Sequence, residues 1–330
     1  MRTRPLIALA ATAATVLTLA ACNNDAESGG GSSEDGGAID LPNVATVVSY
    51  PALPSGLELG LFDEPFGQDA SGMTVEFVSS GADGVSALAS GNVDLVIGGY
   101  DPPAMLGATN ARIIAMTETS PETHAILVPP GSGIDSIEDL QGLTVGGFSS
   151  ALAPFLALML ANADLPGDYI DYIQVPPDAG LAALTSGAID AWYTWDPFYA
   201  QAQLEDLADV VVDGTDFFLN PIVIVAREDY IEENPEAVQA FLTGYDASVT
   251  WVNENPADAA AYMAEATGMS PEAADITIER RDYALTIPTE SDIAWMDSLG
   301  EALVEAGTLP DVPDLNVAID TTALEGVLGD

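Results

Sequence analysis

The chain has 330 residues, 52 of them acidic and six basic, with one histidine and one cysteine; the six basic residues are all arginine. No lysine means no Schiff base to pyridoxal phosphate, and a lone histidine with a lone cysteine leaves neither a catalytic Cys–His pair in the body of the chain nor a histidine-rich metal site. So negative a surface repels nucleic acid and itself; no cofactor and no metal are expected.

Met1 to Cys22 reads as a targeting segment. Arg2 and Arg4 form a positive n-region, and Leu6 to Leu19 is apolar and uncharged but short for a membrane span. Its end, Leu19-Ala20-Ala21-Cys22, resembles the bacterial lipobox, which implies cleavage after residue 21 and lipidation of Cys22. Residues 22–38 (CNNDAESGGGSSEDGGA) are a Gly/Ser/acidic tether with nothing to bury. Beyond the leader four arginines face 52 acids, a formal charge of −48. Screening by salt shrinks the repulsion within such a surface, so a high-salt habitat is the expected reason for it.

Strand and helix patterns alternate from Ile39 onward, which predicts a mostly parallel α/β fold. Strands are expected at Val44–Tyr50, Met73–Val78, Arg112–Thr117, His124–Val128, Leu143–Gly146, Ile170–Val175, Val210–Val212 and Ile222–Val225. Ser136 to Leu140 reads as a capped helical turn. Ala151 to Ala163 reads as a buried helix whose start is limited by Pro154. From Tyr230 on the pattern is helical. Asn234-Pro235, Asn255-Pro256 and Ser270-Pro271 serve as starts, and Gly268 and Gly307 as stops. Val238, Phe241, Leu242, Tyr245, Val249 and Val252 lie on one helical face, and the tail is expected to pack on the first of two lobes.

One unit occurs twice. Gly84 to Pro102 (GVSALASGNVDLVIGGYDP) and Gly180 to Pro197 (GLAALTSGAIDAWYTWDP) both read helix, Ser-Gly turn, strand, then Asp-Pro. Gly84, Ala87, Leu88, Ser90, Gly91 and Asp94 align without gaps on Gly180, Ala183, Leu184, Ser186, Gly187 and Asp190. Two such αβ units predict two lobes. Ligands of open α/β sheets sit outside the carboxyl ends of the strands. A cleft is therefore expected between the loops Gly98-Gly99-Tyr100-Asp101 and Thr194-Trp195-Asp196.

These segments, with Ile126–Gly146 (ILVPPGSGIDSIEDLQGLTVG), the Phe148-Ser149-Ser150 loop and EENPEAVQAFLTGY, resemble the aliphatic sulfonate, nitrate and taurine group of ABC-transporter solute-binding proteins over nearly the whole mature chain. The resemblance implies a two-lobed, type II periplasmic-binding-protein-like α/β fold with a helical C-terminal tail. It places lobe 1 at about 39–128 and 226–330 and lobe 2 at 129–225, with a crossover near Pro129–Gly133. It further implies a monomeric receptor, lipid-anchored on the extracytoplasmic face of the membrane, that takes a small solute to an ABC permease. Pro154 departs from the Ser/Thr-loop-to-helix pattern of the sulfonate binders. A heterocyclic vitamin precursor of thiamine-pyrimidine or riboflavin type is the alternative ligand, and an enzyme on the same fold the other alternative.

Eight residues are candidates for the ligand. Ser149 and Ser150 can offer hydroxyls and amides to an anion at a helix start, or one of them can simply cap that helix. Asp101 and Asp196 can take an ammonium or hydroxyl, or cap the helices that follow. Tyr50, Tyr100, Phe148 and Trp195 can supply apolar faces, Tyr and Trp with a polar tip. His124, at the start of a strand, reads as structural. Arg112, Arg227, Arg280 and Arg281 are the only cations beyond the leader, and their positions are not legible from the sequence.

Overall fold

The computed structural model describes residues 38–78, 81–99, 102–107, 109–149, 152–215, 217–305 and 309–329, without the side chains of residues 81, 82, 104 and 305. The leader with Cys22, most of the tether, Tyr100, Asp101, Ser150 and Gly307 lie outside these residues.

In chain order, β1 (Asn43–Val47), α1 (Ala52–Glu58), α2 (Asp63–Phe66), β2 (Thr74–Val78), α3 (Gly81–Ala89), β3 (Leu95–Gly98), α4 (Pro102–Gly107) and β4 (Ala111–Thr119) form the first part. Then follow β5 (His124–Val128), β6 (Thr144–Gly147), α5 (Pro154–Asn162), β7 (Asp171–Gln174), α6 (Pro177–Thr185), β8 (Ala191–Trp195), α7 (Phe198–Leu204) and β9 (Asp209–Asp213). The chain closes with β10 (Pro221–Arg227), α8 (Glu228–Glu233), α9 (Pro235–Glu254), α10 (Pro256–Thr267), α11 (Pro271–Glu279), β11 (Tyr283–Thr286), α12 (Glu290–Glu305), α13 (Leu315–Ala318) and α14 (Thr322–Leu328).

Two sheets result, ordered β11-β4-β10-β3-β1-β2 and β7-β6-β8-β5-β9. They repeat one plan. A central strand (β1 or β6) is parallel to an outer strand and to the strand of the repeated unit (β3 or β8). That strand is antiparallel to a fourth (β10 or β5).

β5 belongs to the second sheet and β10 to the first, so the chain changes lobe at 120–123 and at 214–220. Both exchanges differ by one strand from the sequence-based positions, Pro129–Gly133 and Val225/Ala226. The physical reason is pairing: β5 finds partners in β8 and β9, and β10 in β3 and β4. The breaker cluster at Pro129–Gly133 is a turn within the second lobe.

Each sheet is covered by helices on both faces. The six residues of the expected α9 stripe are all buried, against Leu53 and Phe62 on one face of the first sheet. Helices α10 and α11 join that core. Helix α12 does not follow the expectation for the tail. Met296 joins the other core of the first lobe, whereas Leu299 and Leu303 join the core of Phe155 and its neighbours in the second, and Trp295 packs against both. Strand β11 was not legible in a region read as helical; four residues alternating buried and exposed at a sheet edge carry too little pattern.

The helix starts refine the sequence reading. Ser136 and Asp139 form a full capping box, and the Ser270 side chain accepts from Ala273 N–H. Asn234 and Asn255 stand at their N-cap positions, but their amides donate back to Tyr230 O and Trp251 O of the preceding helices. Pro154 is the first residue of α5, after extended Ala153.

Candidate functional site

The repeated unit has one structural logic in both lobes. Gly91 and Gly187 both take φ +74, the left-handed turn between helix and strand. The carboxylate of Asp94 accepts from Asn43 N–H (2.8 Å) at the start of β1, and that of Asp190 from Thr144 N–H (2.9 Å) at the start of β6. Gly84 and Gly180 each lie under the residue twelve positions on. A Cβ at Gly84 would stand 2.9 Å from Val96, and one at Gly180 2.0 Å from Trp192. The matched residues thus fix how each helix and strand seat on the central strand of their lobe.

Topology then decides where the strand ends meet. β4 runs parallel to β3, both being antiparallel to β10, and it delivers the chain directly to β5, whose His124 pairs with Trp195 at the carboxyl end of β8. The return path leaves β9 near Ala125 and starts β10 opposite Thr119. Both exchanges therefore join the carboxyl edges of the two parallel sets, β1 and β3 in one lobe, β6 and β8 in the other. A web of bonds holds this junction: Asn220 donates to Ser120 O and Thr123 Oγ1 (both 3.0 Å), and Asp196 N–H donates to Thr123 O (2.8 Å).

On the second-lobe side, Phe148 and Trp195 meet edge to face with centroids 4.7 Å apart, and Trp195 also contacts Phe198. Ser149 Oγ lies 3.1 Å from the Tyr172 hydroxyl. It stands five residues before α5 and does not cap it. Asp196 is fully buried. Its carboxylate accepts from Ala200 N–H (2.9 Å), as the expected cap of α7, and from Arg280 Nη1 at 2.9 and 3.1 Å. Burial raises the Asp196 pKa, with Arg280 pulling the other way. Arg280 comes from the end of α11 in the first lobe. It also donates to Gln203 and stacks 3.8 Å over the Tyr199 ring, so one side chain clasps the two lobes.

On the first-lobe side, Tyr50 is half-buried beside Arg281, whose guanidinium carbon lies 5.1 Å from the ring centroid. Desolvation pushes the Tyr50 phenol up to about 12. Arg281 forms a buried two-point pair with Glu118 at 2.9 and 3.1 Å. Burial disfavours its charge, but Glu118, followed by Tyr283, Tyr50 and Asp196, more than offsets this and the arginine stays protonated. Its Nε and the Tyr283 hydroxyl are buried without a partner. His124 is buried at the junction, its Nδ1 2.9 Å from the Tyr193 hydroxyl and its ring among Phe155, Phe218 and Trp195. Burial first, then Arg281, pushes it down to about 3, so it is neutral near pH 7.

The structure thus gathers Tyr50, Phe148, Ser149, Trp195 and Asp196 around one junction. Tyr100, Asp101 and Ser150 are outside the described residues. Glu118, Arg280 and Arg281 were not nominated as site residues, since nothing local in the sequence marks which arginine folds inward. A surface cavity of about 510 Å³ is lined only by α1, α9, α10 and their flanks, with no strand end and no residue of the second lobe. Among the described residues no cluster of His, Cys, Asp or Glu is placed to hold a metal.

A family model described as NMT1/THI5 like matches residues 70–259. The chain is 26% identical over 257 residues to an aliphatic sulfonates-binding protein of Escherichia coli (strain K12), covering 76% of this chain and 80% of that one. It is 30% identical over 206 residues to the taurine-binding periplasmic protein of the same strain, covering 60% and 63%. The periplasmic aliphatic sulphonate binding protein SsuA from Escherichia coli shares the fold with a TM-score of 0.79 at 21% identity, over 85% of this chain and 97% of that one. The desulfurization enzyme DSZB shares it with a TM-score of 0.67 at 18% identity, over 87% and 99%, so the same two-lobed architecture also carries an enzyme.

Proposed function

We propose that this chain, which belongs to the NMT1/THI5-like family, is an extracytoplasmic receptor that captures a small organic solute between its lobes and delivers it to the permease of an ABC importer. The observation that carries this reading is the junction itself. The carboxyl ends of β1, β3, β6 and β8 converge there, with the apolar faces of Tyr50, Phe148 and Trp195 beside a few buried polar groups. Such a combination is what small-molecule clefts contain. Binding rather than catalysis is supported by the chemistry at the junction. The only cysteine is Cys22, and His124 is held neutral among aromatic rings. Trp195 reports on the site. Its fluorescence should change on solute binding, and Trp195→Ala should weaken binding by about tenfold or more, as for a buried aromatic anchor. A solute that binds with unchanged affinity in that variant would move the site elsewhere.

Anchoring belongs to the same proposal. The Leu19-Ala20-Ala21-Cys22 end of the leader and the acidic Gly/Ser stretch after it suit a lipid on Cys22 and a tether to the membrane. Cys22→Ala should abolish partitioning of the mature protein into the detergent phase; unchanged partitioning refutes the anchor.

A further inference from the structure

From residue 38 onward the chain holds four cations, and the structure accounts for each of them. Arg112 pairs with Glu228, and Arg227 with Asp229 (2.9 Å) and Asp94 (3.3 Å). Both stand at the start of β4 or the end of antiparallel β10, the sheet edge opposite the junction. Arg280 and Arg281 do reach the junction, and each arrives matched by its own buried carboxylate, Asp196 and Glu118. His124 is neutral there. Helix α5 offers only a partial positive charge at its start, and its first residue, Pro154, has no N–H to give an anion.

Resting on the receptor reading, we propose that the cleft accepts solutes with no net negative charge, whether zwitterionic, cationic or neutral, and discriminates against net anions. An anion that leaves water needs a counter-charge, and among the described residues none at the junction is unmatched. The field of a chain with a formal charge of −46 opposes its approach as well. A positive or neutral group meets neither obstacle, and Trp195 and Phe148 are aromatic rings of the kind that attract cations.

The test is a charge-sorted panel of small solutes, read by Trp fluorescence and titration calorimetry on the purified protein. It includes two isosteric pairs: taurine with propane-1-sulfonate, and glycine betaine with 3,3-dimethylbutanoate. Hits should be confined to members without net negative charge, and the anion of a binding pair should be weaker by about tenfold or more. A net anion that binds as tightly as its isostere, or leads the panel, overturns the inference and leaves the receptor reading standing. A panel in which no charge class binds undoes the receptor reading, and this inference with it. Glu118→Gln provides a second measurement, its folding checked by a melting curve. It leaves Arg281 unmatched and should raise anion affinity over the parent protein by about tenfold; a folded variant with unchanged anion affinity overturns the charge-matching account.

Discussion

Asp196 shows how one side chain combines roles that are separable on paper. As an N-cap alone it would be exchangeable for asparagine, which caps about as well. In the folded chain its carboxylate also holds Arg280 from the other lobe by two contacts while buried to 1% exposure. Removing one partner of a buried pair leaves the other charge uncompensated. Asp196→Asn should therefore lower stability by on the order of 3 kcal/mol in a urea melt, not by the few tenths expected of a cap exchange. A loss below about 0.5 kcal/mol would show that the carboxylate serves α7 only. The Asp-Pro pair was legible in the sequence as a helix start. Its partner was not, because Arg280 lies 84 positions away and is one of two adjacent arginines that turn to different lobes.

The repeated αβ unit was the most legible element, since its signals are local: a Ser-Gly turn, a β-branched run, an Asp before the strand. What each matched residue does became clear only in three dimensions. The first glycine is a contact residue, set against the strand side chain twelve positions on. Gly180→Ala would place a Cβ 2.0 Å from the rigid, buried Trp192 indole. Overpacking should cost about 3 kcal/mol, only partly offset by the roughly 1 kcal/mol that alanine gains in a helix. In Gly84→Ala the Cβ meets a Val96 methyl at 2.9 Å, and the two effects should nearly cancel. Paired thermal melts check the order; equal melting temperatures in the two variants contradict it. Helix α12 makes the opposite point. Its apolar positions were readable, but a periodic pattern does not say that one stripe faces the first lobe and the next the second.

At the scale of the molecule, composition alone set the charge and left the chain without lysine or a thiol beyond Cys22. Hydrophobic periodicity and the internal repeat were enough for an α/β protein with two sheets of one plan, because these are short-range properties that a chain displays in its own order. The points of lobe exchange were misplaced by one strand on each side. Whether β5 and β10 stay with the preceding elements or cross over is decided by which edge has an open ladder, a fact about two sheets at once. The same holds for the charges. The sequence counts four arginines after residue 22 against 52 acids, and nothing in the count says that Arg280 and Arg281 turn inward while Arg112 and Arg227 stay at the far edge. Sequence by itself determined the α/β class, the repeated unit and the overall charge. Tertiary structure decided where the lobes join and which cation meets which acid, because both depend on pairings between segments far apart in the chain.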